Sequence, residues 1–326
     1  MQQFIERLNT KFLETAGLFD TFKVKNADHF FFSAIAGMAL FLMLFIIIYV
    51  FYVAYPVLIK VGLFDFVTDA AWSYGSSEYG IREYALSTIY LTVLTLLISV
   101  PLGIFAAIYL AEFASRKIES ILRPLIELLV GIPSVVYGIF GFFILEDIFR
   151  YHIDPFLDST LGVFLPIFRD TNPNHGFSLL LASTVLAVMI LPTIVTLSQD
   201  AIRMVSKDYR DASFSLGATK WETIKNTVLP AAKGGIIASV ILGAMRAMGE
   251  TMAVLMLYGG SARAPVSILD SGTAMTSIIL GDLGSHFNND EAVSALFAIA
   301  ALLFGMEIFF VLIIKLIGAS YGSSKA

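Results

Sequence analysis

The fold of this chain is indicated by one polar stretch between apolar ones, residues 207–230, KDYRDASFSLGATKWETIKNTVLP. Its apolar residues recur with the spacing of a helix over about 208–216, so the sequence predicts a short helix there. Gly217 follows directly, and glycine is the residue that most easily takes the left-handed conformation that ends a helix. The stretch therefore begins with a short helix that a glycine turn closes.

A second helix is predicted directly after the glycine turn. Thr219 is a good N-cap, and Glu222 three residues later completes a capping box, which predicts a helix over about 219–227. Pro230 then opens the next apolar helix, because a residue in the first turn needs no backbone N–H. A helix–turn–helix loop thus joins two apolar segments.

The composition around this loop is that of a membrane protein. Of the 326 residues, 57% are hydrophobic and 14% are charged, whereas soluble domains are about 45–50% apolar and about 25% charged. The net charge of -5 offers no basic field that would attract nucleic acid. These values exclude an ordinary soluble enzyme, a disordered chain and a nucleic-acid-binding protein.

Several kinds of chemistry have no sequence signal. Zero cysteines exclude disulfides and Cys-ligated metals, and the four histidines are scattered. The phosphate-binding pattern Gly-x-x-x-x-Gly-Lys-[Ser/Thr] does not occur, so we do not expect this chain to bind or hydrolyse ATP itself. We therefore expect no catalytic residue, no metal site and no cofactor in this chain.

Six apolar runs each exceed the roughly 20 residues that a helix needs to cross the hydrocarbon core of a membrane. The runs are 30–59, 85–110, 125–145, 176–199, 234–262 and 292–314. The predicted fold class is therefore an all-α membrane protein with six transmembrane helices.

The distribution of Lys and Arg predicts how these spans are oriented. Fifteen of the 21 basic residues lie in the N-terminal segment, in the loops 111–123 and 200–233, or at the C-terminus. Five lie in the opposite loops, and Arg246 lies inside an apolar run. Because positive charge marks cytoplasmic loops, both termini are predicted to be cytoplasmic.

The sequence divides into three parts. Residues 1–29 mix apolar and basic side chains, which predicts an amphipathic segment lying on the inner leaflet. A plain cytosolic segment without a role is the alternative. Residues 30–318 hold the transmembrane domain with the cytoplasmic loop 200–233, and residues 319–326 form a short C-terminal tail.

The stretch 207–230 resembles a loop found in the permeases of type I ATP-binding-cassette (ABC) importers. That loop reads Glu-Ala-Ala, three residues, Gly, nine residues, Ile, one residue, Leu-Pro. The matching positions are Asp211, Ala212, Ser213, Gly217, Thr227, Leu229 and Pro230, with Asp in place of Glu, Ser in place of the second Ala and Thr in place of Ile. The resemblance implies the MetI-like permease fold and a coupling helix that docks into an ATPase subunit. A generic helix–turn–helix loop is the alternative.

Two more motifs resemble phosphate-importer permeases, and their C-type subunit more than the A-type: residues 131–138, GIPSVVYG, and residues 246–254, RAMGETMAV. The resemblance implies a subunit of an ATP-driven inorganic phosphate importer in the cell membrane. It also implies partners: an A-type permease subunit in a heterodimer, two ABC ATPase subunits that carry ATP and Mg, and an extracytoplasmic phosphate-binding protein.

Arg246 and Glu250 are charged residues inside the fifth apolar run. At about 1.5 Å per residue, Arg246 lies roughly 18 Å into that run, where an unpaired charge is costly. The i, i+4 spacing predicts that both side chains share one helical face. Since a guanidinium can bind two phosphate oxygens at once, the pair predicts a substrate site. A purely structural ion pair is the alternative.

Hydroxyl groups provide weaker candidates for substrate binding. Thr251 follows Glu250, and Ser134 and Tyr137 flank a predicted kink at Pro133. A helical stripe on the second span either lines a pore or packs helices together. The stripe consists of Thr88, Thr92, Thr95 and Ser99.

The function expected from these features is a permease subunit that forms half of a translocation pore. Within the class, the alternatives are an A-type phosphate subunit or a sulfate or molybdate permease. A different class is a proton-coupled secondary transporter that uses Glu250 and Glu307 as proton carriers. A third is a non-transporting receptor, which needs no Arg246 in the membrane. Co-purification with an ATPase separates these classes.

Overall fold

The computed structural model describes residues 27–171 and 176–322, and the regular structure in these ranges is almost entirely helical. In chain order the elements are α1 Ala27–Val61, α2 Leu63–Thr68, β1 Trp72–Ser73, β2 Glu78–Tyr79, α3 Arg82–Ile108, α4 Arg116–Gly131, α5 Ser134–Phe140, α6 Glu146–Ile148, α7 Asp154–Thr160, α8 Leu179–Arg203, α9 Lys207–Ser215, α10 Lys220–Thr223, α11 Leu229–Gly249, α12 Met252–Leu257, α13 Met275–Leu283 and α14 Asp290–Gly322. Segments of π-helix occupy Tyr109–Phe113, Gly141–Leu145, Phe149–Ile153 and Ile224–Val228, and a 3-10 turn occupies Pro166–Phe168. The predicted all-α class is confirmed, with one two-stranded hairpin added to it.

Among the described residues, five helices are long and apolar enough to cross a membrane, and a bent pair raises the number to six. The five are Phe30–Val61, Arg82–Phe113, Leu179–Arg203, Lys220–Gly249 and Asp290–Ile313, and the pair is Arg116–Gly131 with Ser134–Thr160. The chain is therefore a multi-pass membrane protein, and the predicted six spans require the bent pair to count as one.

The third predicted span, 125–145, is wrong as a continuous helix. α4 ends at Gly131, Ile132 is extended at φ -73° and ψ 125°, and Pro133 is the N-cap of α5. Proline disfavours the helical conformation of the residue before it and supplies no N–H, which explains why the helix stops here. The two helices bend by 92° at this point.

The fifth predicted span, 234–262, is wrong at both ends. Helical structure begins at Lys220, because the π-helical segment Ile224–Val228 continues it into α11 and accommodates Pro230, which cannot donate a helical hydrogen bond. It ends at Gly249, and Glu250 is extended at φ -70° and ψ 130°. This span therefore stops well before the predicted end of the apolar run.

α8 is the central helix of the packed region. The Cβ of an alanine at position 103 would lie 2.7 Å from Ile194, and one at position 235 would lie 2.5 Å from Ala201. Gly103 and Gly235 thus let α3 and α11 approach α8 closely on its two flanks, as small residues do in membrane bundles.

The hairpin β1–β2 is tied to the end of α13 and to the start of α14. The Tyr74 hydroxyl donates to Asp282 Oδ2 at 2.7 Å, and Ser77 Oγ donates to Glu291 Oε2 at 2.7 Å. Lys60 forms an ion pair with Glu291. Burial and the neighbouring Asp282 carboxylate raise the pKa of the Tyr74 phenol, so Tyr74 stays a neutral donor. These bonds fix the loop between α2 and α3.

Contacts divide the chain into one unit that ends at Tyr52 and another that begins at Val53. The predicted amphipathic segment 1–29 and the tail 319–326 lie largely outside the described residues. Their boundaries, and the cytoplasmic placement of both termini, stay predictions.

Candidate functional site

The first part of the candidate site is the break between α11 and α12. Arg246 lies in the last turn of α11, and its side chain is exposed. Thr251 Oγ1 donates to Gly249 O at 3.2 Å, and Thr276 Oγ1 donates to Glu250 O at 2.8 Å. The break is thus held by hydrogen bonds, one of which comes from the second residue of α13.

Glu250 does not share a helical face with Arg246, so that part of the prediction is wrong. Glu250 lies beyond the end of α11, in an extended conformation, and its Oε1 accepts a hydrogen bond from Ala253 N at 3.4 Å. In the part of the chain that the structure describes, no ion pair within 4.0 Å joins Arg246 and Glu250. The carboxylate instead lies at the N-terminal end of α12, where a negative charge is favourable.

A second break, between α4 and α5, holds the other predicted residues. Ser134 is the first residue of α5, and its side chain is half-buried. The Tyr137 hydroxyl donates to Leu129 O at 3.1 Å and so bridges the break.

The two breaks lie side by side because α5 packs against α12. A Cβ on Gly138 would lie 2.7 Å from Met256 Sδ and 3.3 Å from Ala253 Cα. Only a residue without a side chain leaves room for this contact. The structure thereby brings two interrupted helices together, and irregular backbone within a membrane is tolerated where it is buried in protein or lines a wet cavity.

Glu307 is a residue whose position the sequence did not predict. Its Oε1 lies 3.7 Å from the place that a Cβ on Gly249 would occupy, so α14 carries a carboxylate to the break. The signal was present, since a carboxylate inside an apolar span is unusual. The sequence alone does not show which helix α14 packs against.

The hydroxyl stripe on α3 is buried inside the chain. Thr88 Oγ1 donates to Tyr84 O at 2.8 Å and accepts from Met275 N at 2.9 Å. Thr92 Oγ1 donates to Thr88 O at 2.8 Å, and Thr95 and Ser99 are fully buried. In this structure the stripe packs helices together, as the second interpretation of it expected.

The first helix, the glycine turn and the capping box of the predicted loop are confirmed, but the separate second helix is wrong, because α10 continues through Ile224–Val228 into α11 and Pro230 does not open a new helix. α9 spans Lys207–Ser215, and Gly217 follows with φ 85°. Thr219 and Glu222 form the capping box that opens α10: Thr219 N donates to Glu222 Oε2 at 2.8 Å, and Glu222 N donates to Thr219 Oγ1 at 3.3 Å. Local sequence therefore sets the geometry of this loop.

The residues that match the permease loop pattern divide into exposed residues and residues that pack within this chain. Asp211 and Ala212 are exposed on α9, whereas Ser213 Oγ lies 2.9 Å from Thr223 Oγ1 and joins α9 to α10. Leu229 is half-buried, and Pro230 is the second residue of α11. The outward face of α9 is thus free to meet another protein.

Apolar side chains around α9 also point outward. Their exposed fractions are 46% for Phe214, 89% for Leu216 and 51% for Trp221. Clustered exposed apolar side chains at a polar loop are typical of a protein-binding surface.

Two sequence comparisons bear on the identity of the chain. Residues 99–320 match the family model described as "Binding-protein-dependent transport system inner membrane component". The probable ABC transporter permease protein YqgH of Bacillus subtilis is 36% identical over 253 residues, which cover 77% of this chain and 76% of that protein. The phosphate transport system permease protein PstC of Xylella fastidiosa is 34% identical over 249 residues, which cover 76% of this chain and 74% of that protein.

A solved structure supports the fold alone. The inward-facing MetNI methionine ABC transporter has a chain that is 16% identical, with a TM-score of 0.51, over 73% of this chain and 95% of that one. The MetI-like architecture implied by the loop motif is therefore the observed one. By its family match and its relatives, this multi-pass cell-membrane chain belongs to the binding-protein-dependent transport system inner membrane components, the permeases of ABC transporters.

Proposed function

We propose that this chain is the C-type permease subunit of an ATP-driven inorganic phosphate importer and forms half of its translocation pore. The partners in this proposal are an A-type permease subunit, two ABC ATPase subunits and an extracytoplasmic phosphate-binding protein. The phosphate permeases among its relatives support the substrate. The observation that carries the proposal is the exposed guanidinium of Arg246 at a helix break.

Arg246 suits an anion that passes through the membrane. Lys233 marks the polar end of the span, and Arg246 lies 13 residues further on, about 20 Å along a helix. At that depth a charged side chain needs a counter-ion, a wet cavity or a second chain. A passing phosphate supplies the counter-charge, and the planar guanidinium can donate two parallel hydrogen bonds to its oxygens.

Glu250 and the neighbouring hydroxyls refine the choice of anion. A carboxylate accepts a hydrogen bond from a protonated phosphate oxygen, and sulfate carries no such proton at neutral pH. Glu250 would thereby favour phosphate over sulfate, and Ser134 would add a donor near the site. Thr251 and Tyr137 would bind the anion by exchanging their bonds to Gly249 O and Leu129 O for bonds to phosphate oxygens. Free sulfate and molybdate are the competing substrates that this arrangement disfavours.

The loop around Gly217 is where ATP energy enters in this proposal. Asp211, Ala212 and the exposed apolar side chains Phe214, Leu216 and Trp221 provide a surface that an ATPase subunit can bind. Closure of the ATPase dimer on ATP moves α9, and the spans then alternate access to Arg246 between the two sides.

The test is reconstitution of this chain with its partners in proteoliposomes. We expect the ATPase to co-purify, phosphate uptake to require ATP, and phosphate delivered by the binding protein to stimulate hydrolysis. Uptake driven by a proton gradient without an ATPase would instead support the secondary transporter that uses Glu250 and Glu307.

A further inference from the structure

Arg210 connects α9 to two spanning helices at once. Its Nη2 donates to Glu112 Oε1 at 2.7 Å, and its Nε donates to the same oxygen at 3.2 Å. Glu112 belongs to the π-helical end of the Arg82–Phe113 span. Nη2 also donates to Ile202 O at 3.0 Å, and Nη1 donates to Val205 O at 2.6 Å. A single guanidinium therefore holds the ends of α3 and α8.

Burial makes these bonds stronger than those of a surface ion pair. The side chains of Arg210 and Glu112 are 17% and 11% exposed. Charge-assisted hydrogen bonds with little access to water are stronger than neutral ones, and fork geometry fixes the guanidinium plane. The carbonyl of Ile202 at the end of α8 accepts a long backbone bond from Val205 N, at 3.4 Å, so the bond from Arg210 helps to cap this helix.

The route through Arg210 differs from the route along the chain. α9 continues through Gly217 into α10 and α11, and Ser213 reinforces that connection by its contact with Thr223. This covalent route reaches α11, and in the other direction three residues join α9 to α8. The route through Arg210 adds α3, which has no direct chain connection to α9, through the bonds to Glu112.

We infer that Arg210 and Glu112 form the joint through which movement of the coupling helix reaches α3. The inference rests on the proposed function, since it assigns a position to each residue within the coupling step. Arg210 is a positioning residue: it faces inward from α9, while Asp211 and Ala212 beside it face outward. Removal of this joint is expected to leave the ATPase bound, but less phosphate should be transported per ATP hydrolysed.

The experiment measures two quantities on the complete reconstituted complex: ATPase retained in a pull-down, and phosphate transported per ATP hydrolysed. Arg210→Ala should retain the ATPase and lower the transport ratio about tenfold, because several hydrogen bonds to a charged group are lost. Arg210→Lys should recover part of the ratio, since an ammonium can bond Glu112 without the planar fork. Glu112→Gln keeps the bonds of Arg210 to backbone carbonyls and should give an intermediate ratio.

Arg123→Ala is the matched control. Arg123 forms ion pairs with Glu127 at 2.9 Å and Asp200 at 3.2 Å, at the same end of the spans but away from α9. Its removal should leave the ratio within about twofold of the wild type, as expected for a partly exposed pair.

Two outcomes would overturn the inference. One is a wild-type ratio in both Arg210→Ala and Glu112→Gln with the ATPase bound. The other is loss of the ATPase in both variants, because the pair would then only hold the docking surface together. A wild-type complex without ATP-dependent uptake would be a different result, since it overturns the proposed function itself.

Discussion

Two helix interruptions in this chain differ in how the sequence encodes them. The turn at Gly217 is set by its own residues, a glycine at φ 85° and a capping box directly after it. The break at Glu250 has no proline, and besides the local bonds of Glu250 and Thr251 a hydrogen bond from Thr276 holds the Glu250 carbonyl. Local chemistry therefore fixes the coupling loop, whereas the break also depends on a tertiary contact.

An exposed charged side chain also has a different meaning in the coupling loop and at the break. An exposed Asp211 in a polar loop is ordinary, because water solvates it. An exposed Arg246 in a spanning helix is costly unless a ligand, water or another chain meets it. An exposed charged side chain thus indicates docking in one region and an anion route in the other.

The largest effect is expected from Arg246→Gln. Two charge-assisted hydrogen bonds of roughly 1.5–3 kcal/mol each are lost, so phosphate uptake should fall by at least about 100-fold. The complex should still assemble, since the Arg246 side chain is exposed on this chain. Arg246→Lys should recover uptake in part, because the ammonium keeps the charge without the fork.

Arg263→Gln serves as the control for Arg246→Gln, since Arg263 is an exposed arginine in the loop after α12. Its uptake should stay close to that of the wild type. Equal losses in the two variants would remove the special role of Arg246.

The next effect concerns Gly217, where space and backbone strain can be separated. Nothing lies within 4 Å of a Cβ built there, so Gly217→Val should fail only because of the positive φ. A left-handed conformation costs about 1–2 kcal/mol for an ordinary residue, and a β-branched residue is worse. We expect Gly217→Val to lose ATPase binding or ATP-coupled uptake by about tenfold or more.

Gly217→Asn is the control, because asparagine tolerates the left-handed region. It should retain ATPase binding in the pull-down and phosphate-stimulated hydrolysis. If Gly217→Val behaves like the wild type, the assignment of this loop to coupling fails.

A third prediction tests whether the two breaks depend on each other. Gly138→Ala puts a methyl group 2.7 Å from Met256 Sδ, which should separate α5 from α12. Overpacking of this kind costs about 1–3 kcal/mol, measurable as a lower melting temperature of the purified complex. Gly131→Ala, where nothing lies within 4 Å, should have no such effect. A similar melting temperature in both variants would show that the breaks do not rely on this contact.

The smallest effect is expected from Glu250→Gln. The amide oxygen can still accept the hydrogen bond from Ala253 N, so only the charge is lost. Phosphate uptake should fall about fivefold or less, and the preference for phosphate over sulfate should weaken. With Arg246→Gln the losses should be less than additive, because both residues act on one anion. Additive losses would argue that they act separately.

The sequence predicted the coupling loop better than it predicted the two helix breaks. Gly217, Thr219 and Glu222 interact within a few residues, so their pattern was sufficient for the loop. The sequence also indicated an irregularity at Pro133. It predicted a kink within one helix, whereas the structure has two helices that bend by 92°. The i, i+4 spacing of Arg246 and Glu250 places both side chains on one helical face only if α11 continues past Gly249. The bond from Thr276, 26 residues away, could not be read from local sequence.

The most direct test of the anion route uses Ser134→Cys, a near-isosteric change in a chain that has no other cysteine. The reconstituted complex is treated with a water-soluble, charged methanethiosulfonate, and modification of this chain is measured by mass. We expect Cys modification at position 134 that phosphate slows and sulfate does not, with Arg246 intact. Absence of modification, or a rate that phosphate leaves unchanged, would contradict the claim that the paired breaks line the path of the anion.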